Sequence, residues 1–254
     1  MQATIVSLLS ITAVAYVGLG LLLYATQRSI LFYPTPDVGG YGAETLRIDS
    51  AGETLKVLRL NGGRARAILY FGGNAENVAA NAPEFERMFD DATLYLVNYR
   101  GYGGSSGAPT EQALYADAAA VFDHLAARHR NVAVIGRSLG AAVASYVASV
   151  RSVDRLVLVT PPDSIENVAA HHYPFYPISL LLKDKFRTID HVDAIAAPTL
   201  IIMAENDRII PRDNTEALIA AFGDHELTTA TLPRTDHNTI DNSPTYAKLL
   251  EEFL

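Results

Sequence analysis

The 254-residue chain contains no cysteine. This absence excludes disulfide bonds, thiolate metal ligands and a cysteine nucleophile, and it leaves no thiol for palmitoylation. It does not indicate a compartment, because a domain without cysteine folds equally well in reducing and oxidising surroundings.

Clusters of lysine and arginine are also missing. The formal net charge is -8, from 20 basic and 28 acidic residues, whereas nucleic-acid binding requires grouped positive side chains that displace counterions. No nucleic-acid partner is therefore expected. No Gly-x-Gly-x-x-Gly follows an apolar run and no His-Glu-x-x-His occurs, so the sequence predicts neither a cofactor nor a metal.

Charge is absent from the first 27 residues. The stretch 3–26 is mostly apolar on all sides of a helix, and at about 1.5 Å per residue it would span about 36 Å, enough for a bilayer. A cleaved secretory signal is the alternative, but it lacks a preceding Lys or Arg and a clean Ala-x-Ala site. We predict an uncleaved single-pass membrane anchor over residues 1–27, and the charge pattern leaves its orientation open.

The rest of the chain has the length of one domain with an accessory segment. Residues 28–44 are predicted as a juxtamembrane linker and residues 45–254 as the folded domain. Phe32 and Tyr33 in the linker suit either the headgroup level of a membrane or packing on the domain.

Short apolar runs alternate with helical stretches along this domain. The runs 46–48 and 55–60 flank a turn and predict an antiparallel hairpin at one sheet edge. The later runs are apolar on both faces, as in parallel strands covered by helices on both sides; they are 67–71, 94–97, 132–135, 156–159, 199–203 and 227–232. The predicted fold class is α/β, with an open, mostly parallel sheet of about eight strands and a ligand crevice at their carboxyl ends.

The motif Gly136-Arg137-Ser138-Leu139-Gly140 joins an apolar run to a helix-like run. Such a strand, sharp turn and helix is the setting of a nucleophile elbow, in which small flanking residues relieve crowding around a strained serine. The motif alone is common, so its context decides. Ser138 is the predicted nucleophile.

A base and an acid are expected at later strand ends, in the chain order Ser, acid, His. Asp207 and His237 follow the seventh and eighth predicted strands. Glu205 is the rival acid, two residues before Asp207. Asp236 cannot turn its carboxylate onto the Nδ1 atom of its neighbour, so we interpret it as a loop residue.

Two backbone N–H groups should stabilise the oxyanion of an acyl-transfer intermediate. One is the amide of Leu139, directly after the nucleophile, and the other is assigned to Asn74. Gly73, before Asn74, lets the backbone approach a substrate and is predicted to bind it, although a plain turn is the alternative.

Several stretches together resemble the Bem46-like α/β-hydrolases, relatives of the membrane-anchored ABHD serine hydrolases. They are 70–77 (YFGGNAEN), 98–107 (NYRGYGGSSG), 136–140 (GRSLG), 173–177 (YPFYP) and 180–186 (LLLKDKF). The resemblance implies the α/β-hydrolase fold, a triad of Ser138, Asp207 and His237, and an N-terminal membrane anchor. The depalmitoylating branch carries an N-terminal cysteine cluster that this chain lacks, and Gly72 stands where the family often has His.

These features predict a serine hydrolase that cleaves ester or thioester bonds through an acyl-enzyme. Residues 162–198 are predicted to form a short lid, with Tyr173, Phe175 and Tyr176 contacting the acyl chain of a small-molecule or lipid-like substrate; packing on the core is the alternative. An aminopeptidase-like enzyme, with Glu76 binding a substrate amine, and a non-catalytic anchored binding module are the competing functions. Oligomeric state is left open.

Overall fold

One eight-stranded sheet organises the domain, in the order β1-β2-β4-β3-β5-β6-β7-β8. The computed structural model describes residues 2–254. β2 is antiparallel to β1 and β4, and the remaining neighbours pair in parallel. The strands are β1 Glu44–Ser50, β2 Glu53–Leu60, β3 Arg66–Phe71, β4 Ala92–Val97, β5 Asn131–Arg137, β6 Leu156–Val159, β7 Thr199–Ala204 and β8 Leu227–Leu232. The predicted mostly parallel α/β sheet is confirmed.

Eight α-helices accompany the sheet within residues 2–254. They are α1 Gln2–Leu31, α2 Ala82–Met88, α3 Glu111–Ala126, α4 Leu139–Val150, α5 Ile165–His172, α6 Ile178–Leu181, α7 Arg212–Phe222 and α8 Pro244–Phe253. Short 3₁₀ helices lie at Val78–Asn81, Thr188–Ala194 and Ile240–Asn242.

Apolar side chains on both sheet faces explain why helices cover both. In β3, Leu69 and Phe71 pack into a core shared with α3, α4 and α7. Ile68 and Tyr70 point to the opposite core, which α2 and α8 cover. Because successive side chains of a strand alternate between faces, a continuously apolar strand needs cover on both sides.

Helix α1 is longer than predicted. Its segment Thr4–Leu31 is long and apolar enough to cross a bilayer, with a mean hydropathy of 2.2. The predicted linker began at residue 28, but the helix continues to Leu31, because no proline or glycine occurs between Arg28 and Tyr33. Met1, the first residue of the predicted anchor, lies outside the described residues.

The chain after α1 packs on the domain. Phe32 is 3% exposed, and its ring meets that of Phe186 edge to face with centroids 6.1 Å apart. Tyr33 is half-exposed. Of the two interpretations of these aromatics, packing on the domain holds for Phe32, and α1 is thereby joined to the core.

Candidate active site

Ser138 occupies the turn between β5 and α4. Its backbone has φ 53° and ψ -115°, a strained conformation for a residue with a side chain. A Cβ atom on Gly136 would lie 2.6 Å from that of Ala144, and one on Gly140 would lie 2.6 Å from the carbonyl oxygen of Gly72. Glycine is therefore required on both sides of the turn because the backbone and α4 approach so closely.

The ends of three strands bring Ser138, His237 and Asp207 together. His237 Nε2 lies 2.9 Å from Ser138 Oγ, and His237 Nδ1 lies 2.7 Å from Asp207 Oδ2. The amides of Ile209 and Ile210 donate to the other carboxylate oxygen of Asp207, each at 2.9 Å. The carboxylate is thus fixed by its own loop, and it can hold the imidazole with Nε2 facing the hydroxyl.

The other two acids considered from the sequence have different partners. Glu205 accepts a hydrogen bond from the Arg234 amide at 2.7 Å. Asp236 accepts from the Asn238 amide at 2.9 Å, and this backbone bond is the main reason that the pKa of Asp236 is lowered. Asp207 is the acid that contacts His237.

The loop after β3 and the first residue of α4 carry the backbone amides assigned to the oxyanion. The Gly73 amide donates to Glu76 Oε2 at 2.6 Å, whereas within residues 2–254 no acceptor is found for the Asn74 amide. Leu139 begins α4, where the first N–H groups lack a partner in the helix. Asn74, Leu139 and Ser138 all line one cavity. The arrangement leaves two amides available to an oxyanion.

The side chain of Asn74 connects this loop to α1. Its Oδ1 accepts from the Tyr33 amide at 3.0 Å and from the Tyr102 hydroxyl at 2.9 Å, and its Nδ2 donates to the Leu31 carbonyl. Burial raises the pKa of Tyr102 to about 12, so this hydroxyl stays protonated as a donor. The end of α1 and the candidate oxyanion loop are therefore held as one unit.

Arg137, beside the candidate nucleophile, bridges the loops around it. Its Nη1 lies 3.2 Å from Asp241 and 3.9 Å from Glu76, and its Nη2 donates to the His237 carbonyl at 3.2 Å. Burial lowers the pKa of Arg137, but neighbouring charges, that of Glu76 first, outweigh burial and raise it overall. Glu76 also accepts from the Tyr70 hydroxyl at 2.6 Å, as expected for a residue that organises its own loop.

An apolar cavity of about 280 Å³ adjoins the serine. Its walls are α1, the lid and the loop after β7, and most of its surface is carbon. The lining residues are Gly20, Leu23, Tyr24, Gln27, Ile30, Leu31, Asn74, Ser138, Leu139, Ile165, Val168, Ala169, His172, Tyr173, Tyr176, Ile178, Leu181, Leu182, Ile209 and Ile210. Such a cavity suits an acyl chain.

The predicted substrate-binding residues fall in three different places. Tyr173 and Tyr176 line the cavity. Phe175 does not: it is 83% exposed, and its carbonyl accepts a hydrogen bond from the Tyr16 hydroxyl at 2.6 Å. Gly73 is outside the lining, although a Cβ there would lie 3.6 Å from that of Ser138. The turn at the prolines points the Phe175 side chain outward, which sequence alone does not reveal.

Sequence reasoning missed that α1 forms a cavity wall. Tyr16 stacks on Tyr176 with centroids 4.7 Å apart, and Gln27 Nε2 donates to the Leu181 carbonyl at 3.2 Å. Because α1 is apolar on all sides, no stripe distinguishes the face that meets the lid. Within residues 2–254, no group of three or more His, Asp or Glu side chains is placed to hold a metal ion.

Comparison with known proteins identifies the family. Residues 92–245 match a model described as an alpha/beta hydrolase domain. The chain belongs to the α/β-hydrolase family. The resemblance to Bem46-like and ABHD-type α/β-hydrolases is thereby confirmed.

Relatives of this α/β-hydrolase include an uncharacterised Mycobacterium tuberculosis protein, 33% identical over 84% of the chain and 81% of the relative. The lysophosphatidylserine lipase ABHD12 of Gallus gallus is 29% identical over 74% of the chain and 58% of the relative. The solved Pyrococcus furiosus esterase Pf2001 superposes with a TM-score of 0.68 at 18% identity, covering 88% and 96% of the two chains. That likeness shows the fold, and the family and its named members support a hydrolase activity.

Proposed function

We propose that this α/β-hydrolase is a membrane-anchored serine hydrolase that cleaves ester or thioester bonds of acyl substrates. The pair of hydrogen bonds that joins Ser138 to His237 and His237 to Asp207, at 2.9 and 2.7 Å, carries the proposal. It is the arrangement in which an imidazole can remove the proton of a serine hydroxyl.

In the first step His237 Nε2 takes the proton as Ser138 Oγ bonds to the substrate carbonyl carbon. The carbonyl oxygen gains the negative charge and is held by the amides of Asn74 and Leu139. When the bond to the leaving group breaks, that alkoxide or thiolate takes the proton from His237. Asp207 stabilises the imidazolium and does not itself become protonated.

In the second step water enters and His237 removes one of its protons. The hydroxide attacks the acyl carbon, the bond to Ser138 Oγ breaks, and the serine recovers its proton from His237. The products are a carboxylic acid and a free enzyme. Every step uses side chains and amides of this chain.

The cavity supports an acyl substrate with one chain. Its volume of about 280 Å³ is near the lower end of the roughly 300–1,000 Å³ that is typical of ligand pockets. Ile165, Val168 and Leu182 present apolar surface to it. The relative ABHD12 is named as a lysophosphatidylserine lipase, which is a lipid hydrolase. The lid therefore selects for apolar acyl groups in this proposal.

Labelling with a fluorophosphonate tests the nucleophile. The wild type should be labelled and Ser138→Ala should not. Ser149→Ala should keep the label, because Ser149 lies within α4 and its hydroxyl donates to the Tyr146 carbonyl. An unlabelled wild type would indicate a non-catalytic binding module. Rates over a chain-length series of p-nitrophenyl esters test the lid, and indifference to length or a strict preference for acetyl would contradict it.

A further inference from the structure

Two uncharged segments that are far apart in sequence lie side by side in the structure. No charged side chain precedes Arg28 in the chain, and none lies between residues 173 and 182, here called the lid tip. Charged residues that follow the two stretches meet: Arg28 Nε lies 2.7 Å from Asp184 Oδ2. Lys183 places its ammonium 4.2 Å from the centre of the Tyr24 ring, and both residue types are common at the headgroup level of membranes.

Beyond that level the lid tip runs along α1. Tyr176 stacks on Tyr16, and the Tyr16 hydroxyl donates to the Phe175 carbonyl at 2.6 Å. Tyr16 precedes Arg28 by 12 residues, which is about 18 Å of helix at 1.5 Å per residue. Half of a bilayer core is about 15 Å. A membrane that receives the uncharged part of α1 therefore also receives the lid tip.

The surface of the lid tip suits acyl chains. Phe175 and Leu180 are 83% and 82% exposed and Tyr173 is 41% exposed, next to the exposed apolar face of α1. Contiguous apolar surface of this kind marks an interaction site. Neighbouring lipid would cover it at the same depth as α1.

The backbone of the lid tip is also compatible with lipid, where each N–H needs an internal partner. Pro174 and Pro177 have no N–H. The amides of Tyr176 and Ile178 donate to carbonyls within the turn at 3.1 and 2.8 Å, and that of Leu182 donates to the Ile178 carbonyl at 2.9 Å. Most of the polar backbone is thus already paired.

We propose that the lid tip inserts beside α1 into the bilayer leaflet nearest the catalytic domain, so that the cavity opens among the acyl chains. A substrate then passes sideways from the leaflet to Ser138 without crossing water. This inference rests on the membrane insertion of α1 in the proposed function and is independent of the chemistry at Ser138.

The absence of tryptophan from the chain makes a depth measurement possible. Leu180→Trp, Leu9→Trp and Arg130→Trp each create a single reporter in the full-length protein, reconstituted in phosphatidylcholine vesicles with or without brominated acyl chains. Leu9 lies in the part of α1 before the lid contacts, and the exposed Arg130 immediately precedes β5, at the strand end opposite Ser138. Brominated lipid should quench fluorescence at 180 and 9 and leave it unchanged at 130.

The outcomes separate the two proposals. Quenching at position 9 without quenching at position 180 would contradict insertion of the lid tip but not of α1. No quenching at position 9 would contradict insertion of both α1 and the lid tip. Equal quenching at 130 and 180 also overturns insertion of the lid tip. Phe175→Trp is a second reporter in the lid tip. Fluorophosphonate labelling checks that each variant is folded. A wild type that is not labelled would contradict the catalytic proposal and not the insertion of the lid tip.

Discussion

At the scale of single residues, the strained backbone of Ser138 depends on its surroundings. A backbone of this kind costs about 1–3 kcal/mol and persists only where neighbours determine it. The Ser138 amide donates to the Val159 carbonyl at 2.8 Å, and its carbonyl accepts from the Ala141 amide at 2.9 Å. The strand and helix on either side are buried, so the rigid core maintains the position of the hydroxyl.

Asn74 offers a test of how firmly the candidate oxyanion loop must be held. Asn74→Ala keeps the backbone amide but removes the bonds to Leu31 and Tyr102. We expect kcat for a short soluble ester to fall about 10- to 100-fold, because a displaced donor stabilises the oxyanion less. Tyr102→Phe removes one hydroxyl and should cost about fivefold.

The matched control in this loop is Asn77→Ala. The Asn77 side chain accepts a hydrogen bond from the Ala79 amide at 3.3 Å. It should keep nearly the wild-type kcat. A wild-type kcat for Asn74→Ala would show that the loop keeps its position without the contact to α1.

His191 predicts a pH dependence of stability. Its ring lies edge-on to Tyr115 and Tyr146, with centroids 5.5 and 5.4 Å away, and burial lowers its pKa, which Asp190 only partly offsets. The unfolded chain binds the proton at about pH 6.5, before the folded protein does. Folding stability should therefore decrease as pH falls below about 6.5.

The measurement is the melting temperature between pH 7.5 and 5. His191→Phe should have a shallower acid decline than the wild type. His171→Phe, at an exposed position, should retain the wild-type decline. An equal decline in all three proteins would place the acid sensitivity elsewhere.

At the scale of secondary structure elements, α1 combines three kinds of contact that usually belong to different parts of a protein. Its exposed apolar surface suits lipid, one face lines the cavity, and its last carbonyl is bound by Asn74. The helix periodicity places Gly20, Leu23 and Gln27 on the side of the lid. A substitution on the cavity-lining side of α1 should therefore affect catalysis.

Adjacent leucines of α1 make this prediction specific. Leu23 lines the cavity, whereas Leu22 is 58% exposed and is not part of the lining. Leu23→Phe should reduce the space for the acyl chain and shift the preferred p-nitrophenyl ester to a shorter length. Each excluded methylene group costs about 0.8 kcal/mol, or about fourfold in kcat/KM for long chains.

Leu22→Phe adds the same ring outside the cavity lining and should leave the chain-length profile unchanged. If both variants shifted the profile equally, α1 would act on the site by some means other than forming its wall.

At the scale of the whole molecule, the charge distribution defines how the domain would meet a membrane. The net charge is -8, yet α1 before Arg28 and the lid tip contain no charged side chain. The active-site edge of the sheet lies beneath these two segments, because the cavity connects Ser138 to α1 and α6. The fold thus directs its site toward the proposed bilayer.

Leu180→Lys tests the whole arrangement through catalysis. A lysine at membrane depth costs about 2.5–3.5 kcal/mol at the bilayer centre, so we expect hydrolysis of a monoacyl lipid in vesicles to fall at least about tenfold, equivalent to about 1.4 kcal/mol. Hydrolysis of a soluble short ester should not change. Ala126→Lys, at the exposed end of α3, is the control for added charge, and an equal loss in both variants would contradict the prediction.

The sheet could be predicted from the order of the apolar runs. Ser138 could be selected from the small residues around it, and Asp207 and His237 from their positions after later strands. Parallel strands place their carboxyl ends at one edge, so residues distant in sequence can be assigned to one place. Asp207 could be preferred over Glu205, but their actual partners depend on loop hydrogen bonds with Ile209 and Ile210.

By itself the sequence determined the fold, the apolar character of α1 and the candidate reacting groups, because each follows from local patterns and from strand connectivity. Only the tertiary structure decided that α1 continues to Leu31, that it forms the cavity wall, and that Phe175 faces outward. An evenly apolar helix carries no pattern that specifies its contact face. Its position is set by packing against the lid and by the bonds of Asn74, which join residues from separate parts of the chain.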